Sequence, residues 1–159
     1  MINSEYEILL VEDDAADAEL TVLALKEAAF AHRVILARDG AEALDVLFCR
    51  RAHAHRRFEN PPHLVLLDLK LPRVNGHDVL RAIKADERTR PIPVIVLTSS
   101  DQERDLIQCY RLGANSYIKK PGEVLKFGEM VRHLARYWLI INRMPPPSAF
   151  TPPSLGESL

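Results

Sequence analysis

The sequence is poor in the features that mark secreted, membrane-spanning and nucleic-acid-binding proteins. Its 159 residues include only two cysteines, Cys49 and Cys109, which excludes a disulfide framework and favours a reducing compartment. No apolar run approaches the roughly 18 residues that a membrane span needs, and no basic segment followed by an apolar one opens the chain as a secretory signal would. The formal net charge is -1, so charge gives no reason to expect a nucleic-acid partner. We therefore expect a cytoplasmic protein with no membrane or nucleic-acid partner.

The composition predicts one globular domain followed by a tail. Hydrophobic residues make up 47% and charged residues 27% of the chain, as in ordinary soluble domains. We place the domain at residues 1–142. Residues 143–159 contain five of the eleven prolines, a composition typical of an extended or flexible appendage unless packing holds it in place.

Five apolar runs of strand length alternate with helical patterns. The runs lie at residues 8–11, 34–37, 64–67, 94–97 and 116–118. The helical patterns lie at residues 14–29, 39–51, 76–86, 101–112 and 123–142. The first, third and fourth runs are apolar without alternation, which is typical of strands buried on both faces of a parallel sheet. Asp39 with Glu42, and Ser100 with Glu103, have the spacing of capping boxes at helix starts.

This alternation predicts an α/β fold with helices on both faces of a parallel sheet. Five strands in about 140 residues suit the flavodoxin-like, doubly wound (βα)5 sandwich with strand order 2-1-3-4-5. Ligands of such folds bind beyond the carboxyl ends of the strands, where strands 1 and 3 meet.

Polar side chains follow four of the predicted strands. Glu12 and Asp13 follow the first, Asp68 the third, Thr98 the fourth and Lys120 the fifth. Crowded carboxylates are costly unless a proton or a cation intervenes, and Mg²⁺ is the hard cation that suits oxygen ligands beside a phosphate. A hydroxyl and an ammonium are suitable donors to a phosphoryl group. The set predicts a phosphoryl-transfer site with Asp68 as the nucleophile.

The segments that carry these residues resemble a response-regulator receiver domain of the CheY type. They are ILLVEDD, VLLDLKLPRVNG, VIVLTSS and SYIKKP, in that order, and the resemblance covers roughly residues 5–140. The long insertion at residues 48–62 and the Tyr-Trp-Leu end of the last helix are most similar to single-domain regulators of cyanobacterial phytochrome histidine kinases. The resemblance implies a phosphoacceptor signalling protein, not a conventional enzyme, whose output is protein contact without a DNA-binding module.

The resemblance also implies which residues accept the phosphoryl group and bind the metal. Asp68 would take the phosphoryl group from a phosphohistidine of the sensor kinase. Asp13 would bind Mg²⁺ directly and Glu12 through water. Asp68 and the backbone carbonyl of Lys70 would complete the protein ligands.

Three further residues would respond to phosphorylation. Thr98 and Lys120 would contact phosphoryl oxygens, and Tyr117 would follow Thr98 inward as a rotameric switch. The face built from helix 4, strand 5 and helix 5 would then change its affinity for an unidentified downstream protein.

Other classes of protein fit the sequence less well. A Mg²⁺-dependent phosphohydrolase with an Asp nucleophile needs a second Asp two residues on, where this chain has Lys70. A nucleotide or flavin carrier of the same fold needs a glycine-rich phosphate loop after strand 1, where this chain has acids. A receiver-like dimerisation or contact module that works without phosphorylation stays open as the alternative.

The insertion at residues 48–62 is rich in arginine and histidine. Cys49, His53 and His55 match no structural zinc spacing, so a solvated basic loop is the expectation. Its four arginines, which could also dock an acidic partner, are Arg50, Arg51, Arg56 and Arg57.

The last predicted helix is apolar all round near its end, from residue 137 to residue 141. A helix on the surface of a monomer avoids this pattern, so some of it must be covered by the tail or by a second subunit. We expect a homodimer whose contact face includes five residues of this helix: Phe127, Val131, Leu134, Trp138 and Ile141.

Overall fold

Five strands and five α-helices alternate along the residues that the computed structural model describes, 6–28 and 32–151. The strands are β1 (Tyr6–Val11), β2 (His32–Ala37), β3 (Leu64–Leu67), β4 (Val94–Thr98) and β5 (Ser116–Lys119). The helices are α1 (Ala15–Glu27), α2 (Gly40–Leu47), α3 (Gly76–Ala85), α4 (Glu103–Leu112) and α5 (Val124–Arg136). None of these helices is long and apolar enough to cross a membrane. The predicted end of helix 1 at residue 29, the first five residues of the predicted domain and residues 152–159 of the tail lie outside the described residues.

The strands form one parallel sheet in the order β2-β1-β3-β4-β5. This confirms the predicted flavodoxin-like topology. Val11 at the end of β1 lies opposite both Ala37 and Leu67, so the carboxyl ends of the three strands are level. The residues that follow β1 and β3 therefore meet at one edge of the sheet.

Two layers of helices cover the sheet because successive strand residues point to opposite faces. Ile8 and Leu10 of β1 pack with α1 and α5, and Leu9 and Val11 pack with α2, α3 and α4. All four residues of β3 are fully buried, as its uninterrupted apolar sequence predicts.

Side-chain caps fix the starts of three helices. At the starts of α1, α2 and α3, the side chain of the N-cap residue accepts a hydrogen bond from the backbone N–H three residues later. The three N-cap residues are Asp14, Asp39 and Asn75, and the bonds are 2.8, 2.7 and 2.9 Å long. The capping box predicted at Ser100 and Glu103 is wrong. Helix α4 has Gln102, not Ser100, at its N-cap, and without a side-chain bond. The Ser100 hydroxyl accepts from the backbone N–H of Gln102 and donates to Asp105.

The structure also corrects the predicted contact face of α5. Phe127, Val131 and Leu134 are buried against the sheet within the same chain, so they are unavailable to a second subunit. Trp138 is partly buried there, whereas Ile141 is 61% exposed. Dimerisation itself stays a prediction.

Helix α5 ends earlier than predicted, and a π-helical turn follows it at Tyr137–Ile141. The turn closes with a hydrogen bond from Asn142 N–H to the Tyr137 carbonyl at 2.6 Å. It buries Leu139 and leaves Tyr137, Ile140 and Ile141 exposed. Beyond it, a short 3₁₀ turn at Pro147–Phe150 packs Phe150 into the core, so this part of the tail is held by packing.

The insertion is only partly the solvated loop that its composition predicts. Arg50, Arg51 and Arg57 are exposed, but the Arg56 side chain is 8% exposed and forms an ion pair with Glu7 of β1. The prediction of a solvated side chain is therefore wrong for Arg56, because the carboxylate of Glu7 compensates its buried charge. The insertion is thereby fixed to the amino end of the sheet.

Candidate functional site

Three carboxylates meet beyond the carboxyl ends of β1 and β3. Glu12 and Asp13 follow β1 and Asp68 follows β3, and oxygen atoms of the three side chains lie within 4.8 Å of one another. Glu12 and Asp68 are buried, with 3% and 7% of their surface exposed. Asp13 is exposed. The parallel register places these acids together, as the sequence predicts.

Lys120 crosses the end of the sheet to reach this cluster. Its backbone N–H donates to the carbonyl of Thr98 at 2.7 Å, which fixes the chain after β5 against β4. Its Nζ atom then donates to Glu12 Oε2 at 2.6 Å, Asp17 Oδ2 at 2.9 Å and Asp68 Oδ2 at 3.1 Å. The lysine side chain is only 7% exposed, so these bonds are little screened by solvent.

Asp17 is the contact that the sequence analysis missed. Its place in the first turn of α1 is accounted for by the helix dipole, and its backbone N–H is capped by Asp14. Helix α1 begins at Ala15, just after the acids Glu12 and Asp13, so its first turn, which includes Asp17, starts beside them. A helix start just after the acidic pair is the signal that would have placed Asp17 near the acidic cluster.

Burial and charge act in opposite directions on the groups of the site. Burial raises the pKa of Glu12 to about 7, although the hydrogen bond from Lys120 lowers it. Burial alone would lower the pKa of Lys120, but hydrogen bonds to Glu12 and Asp17 and the charge of Asp68 raise it above its ordinary value. Lys120 is therefore a fixed cation at neutral pH.

The two predicted switch residues are joined through the backbone of Ser100. Thr98 is fully buried, and its Oγ1 atom accepts a hydrogen bond from Ser100 N–H at 3.3 Å. The Tyr117 hydroxyl donates to the Ser100 carbonyl at 3.2 Å. Burial raises the pKa of Tyr117, so its hydroxyl keeps the proton that it donates.

The donor set suits a hard divalent cation. Glu12, Asp13 and Asp68 supply oxygen ligands only, and the exposed position of Asp13 leaves room for the waters that Mg²⁺ retains. A metal at this position would also offset the mutual repulsion of the acids. Lys70 is exposed, and the role of its carbonyl as a ligand stays a prediction.

A doubly wound fold with acids, a hydroxyl and a lysine at its switch point defines a class of signalling protein. The chain matches the response regulator receiver domain over residues 8–132, and it belongs to that family. This confirms the family that the sequence motifs indicate.

Individual relatives cover most of the chain. It is 43% identical to the probable methanogenesis regulatory protein FilR2 of Methanothrix harundinacea over 89% of its length and 88% of that protein. The structure of the phosphorylated cyanobacterial phytochrome response regulator RcpA superposes with a TM-score of 0.86 at 36% identity, covering 90% of this chain and 100% of RcpA. The Mn²⁺-bound form of response regulator Rcp1, known from Synechocystis, gives a TM-score of 0.84 at 36% identity, covering 89% and 99%.

Proposed function

We propose that the protein accepts a phosphoryl group on Asp68 from a phosphohistidine of a sensor histidine kinase. The observation that carries this proposal is the environment of Asp68. Its carboxylate is buried, is bonded by the Lys120 ammonium and lies beside two further acids. A carboxylate in this position can act as a nucleophile. The negative charges of Glu12 and Asp13 favour a metal ion beside it, and the Lys120 ammonium can bind a phosphoryl oxygen. The chain is itself modified in this reaction and has no separate substrate to turn over.

In the transfer step, a carboxylate oxygen of Asp68 attacks the phosphorus atom. A P–O bond forms, the P–N bond to the kinase histidine breaks, and its electron pair stays on the imidazole, which takes up a proton. Lys120 donates to one oxygen of the transferring group, and Thr98 donates to another, during the transfer and after it. These donors stabilise the charge that the buried site must hold.

The proposed metal is Mg²⁺, with Asp13 and Asp68 as direct ligands, Glu12 acting through water and the Lys70 carbonyl as a fourth contributor. Bound Mg²⁺ would reduce the negative charge of the transferring group and hold it in line. The relative Rcp1 is described in a Mn²⁺-bound form, which supports a divalent cation as the cofactor.

The output of the switch is a change in protein contact. Thr98, drawn toward the phosphoryl group, would move the Ser100 backbone to which Tyr117 is bonded. Helix α4 and strand β5 flank this point, and α4 presents exposed apolar residues, Leu106 and Ile107. A downstream protein that binds this surface would sense the shift.

A phytochrome is the kinase that we propose, and the cytoplasm is the compartment. RcpA is described as a phytochrome response regulator, and the similarity spans nearly the whole of both chains. Transfer of phosphate from a purified cyanobacterial phytochrome kinase, compared with an unrelated histidine kinase, tests this partner. Equal transfer from both would contradict it.

A homodimer remains part of the proposal, with a revised contact surface. Tyr137, Ile140 and Ile141 of the π-helical turn are about half or more exposed, at 49%, 59% and 61%. Burying such a cluster in a second copy would remove apolar surface from water. It is also the observation that favours the alternative, a contact module that dimerises without phosphorylation.

Intact-mass spectrometry after incubation with acetyl phosphate and Mg²⁺ tests the main proposal. We expect one adduct of about 80 Da, absent in Asp68→Asn and absent when EDTA removes the metal. An unmodified wild-type protein, under conditions that modify another receiver domain, would contradict phosphoacceptance and favour the contact module.

A further inference from the structure

Ser100, two residues beyond Thr98, is held from three sides. Its N–H donates to Thr98 Oγ1 at 3.3 Å, and its carbonyl accepts from the Tyr117 hydroxyl at 3.2 Å. Its own hydroxyl donates to Asp105 Oδ2 at 2.5 Å and accepts from Gln102 N–H at 3.3 Å. Ser100 is only 8% exposed, so competing water has little access. The position of this residue therefore depends on Asp105 as well as on the two switch residues.

Asp105 does more than place an acid in the first turn of α4. Glu103 occupies the same turn, where the helix dipole favours negative charge, yet it is exposed and its side chain makes none of the hydrogen bonds found among the described residues. Both oxygens of Asp105 face partners from other segments. Oδ2 accepts from Ser100, and Oδ1 lies 3.5 Å from His77 Nε2.

His77 belongs to the segment that follows the acceptor residue. It is the second residue of α3, and the N–H of Gly76 before it donates to the Leu69 carbonyl at 2.9 Å. A methyl group at Gly76 would overlap the carbonyl oxygen of Asp68, so the start of α3 is packed directly on the acceptor's backbone. His77 Nε2 is buried without a hydrogen-bond partner among the described residues, and the Asp105 carboxylate is the anion that faces it.

We propose that Asp105 is a positioning residue for phosphoryl acceptance, acting through Ser100 to orient the hydroxyl of Thr98; this rests on the function proposed above. A hydroxyl can accept one hydrogen bond and donate its own proton. Because Thr98 Oγ1 accepts from Ser100, its proton is left to be donated toward a phosphoryl oxygen on Asp68. Without Asp105 as acceptor, Ser100 loses the one hydrogen bond that its hydroxyl donates, and the Thr98 hydroxyl loses its fixed orientation.

The test is the rate constant for phosphorylation by acetyl phosphate in saturating Mg²⁺, followed by intact mass. We expect Asp105→Leu and Ser100→Ala each to slow modification about tenfold, a modest share of what a lost transition-state donor costs. The double variant should be no slower than the slower single variant, because both changes break the same contact. Asp105→Asn keeps an oxygen acceptor for Ser100 and should stay within threefold of wild type.

Two controls separate positioning from a general structural defect. Glu103→Gln removes an acid from the same helical turn and should leave the rate unchanged, and Mg²⁺ affinity should be the same in all of these variants. The inference would be overturned if Asp105→Leu were modified at the wild-type rate, or if Asp105→Asn were as slow as Asp105→Leu. It would also be overturned if the rate losses of the two single variants multiplied in the double variant, or if Mg²⁺ affinity fell in parallel with the rate. An unmodified wild-type protein would instead overturn the phosphoacceptor function itself, and this inference with it.

Discussion

Replacing Lys120 by methionine tests whether this lysine holds the acidic cluster together. Methionine keeps most of the apolar length but removes the cation that bonds Glu12, Asp17 and Asp68 at 2.6–3.1 Å. Leaving a buried charge without its partner costs about 3–5 kcal/mol, while the pair with the partly exposed Asp17 contributes at most about 1 kcal/mol. Glu12 can take up a proton near pH 7, which limits the loss. We therefore expect a decrease of about 3 kcal/mol in the free energy of unfolding at pH 7 without metal.

Urea unfolding with and without Mg²⁺ measures this effect. A cation present at a concentration 100 times its dissociation constant stabilises the folded state by about 2.7 kcal/mol. Without the lysine, the carboxylates should bind Mg²⁺ more tightly. The variant should thus gain more from Mg²⁺ than the wild-type protein does. Lys119→Met is the matched control, since Lys119 is 58% exposed and its ion pair at 3.4 Å is with the exposed Asp101. A loss below about 1 kcal/mol in Lys120→Met, the range of an exposed pair, or equal stabilisation of both proteins by Mg²⁺, would refute the reasoning.

Two other changes test the surroundings of the site by urea unfolding. Gly76→Ala should destabilise the fold by about 2 kcal/mol or more, because the added methyl group overlaps the Asp68 carbonyl oxygen. Gly122→Ala is the control and should change the stability little, because a methyl group there meets nothing within 4 Å. Equal effects of the two changes would contradict the packing argument. Burial lowers the pKa of Lys84 from 10.5 to about 8. Between pH 8 and pH 10.5 the unfolded chain therefore binds more protons than the folded chain, and the free energy of unfolding should rise with pH by up to about 3 kcal/mol. In Lys84→Met this rise should disappear, and its persistence would show that another group causes it.

The sheet and the residues at its edge could be predicted because their signals are local. Uninterrupted apolar runs mark buried strands, and the residues that follow parallel strands converge whatever the helices do. The helices were less predictable. An apolar stripe such as Phe127, Val131 and Leu134 has the same sequence whether it faces its own sheet or a second subunit, and here it faces the sheet.

Polar contacts between distant segments could not be predicted in the same way. The bond from Lys120 to Asp17 joins residues 103 positions apart, and it depends on which way one long side chain turns. Ser100 with Glu103 has the spacing of a capping box, but the Ser100 hydroxyl accepts from Gln102 N–H and donates to Asp105, and the spacing reveals neither bond. Arg56 is one of four similar arginines in the insertion, and only the position of Glu7 distinguishes it.

Strand β1 has a different ion pair at each end: Glu7 with Arg56 at its start and, just past its end, Glu12 with Lys120. Five residue steps along the strand separate Glu7 from Glu12 by roughly 17 Å, and the four residues between them are buried. An affinity tag or fluorophore attached to the exposed part of the insertion, at Ala52 or Ala54, would therefore sit far from the acceptor aspartate. The insertion is the natural attachment point for a reporter that leaves the chemistry at the other end of the sheet untouched.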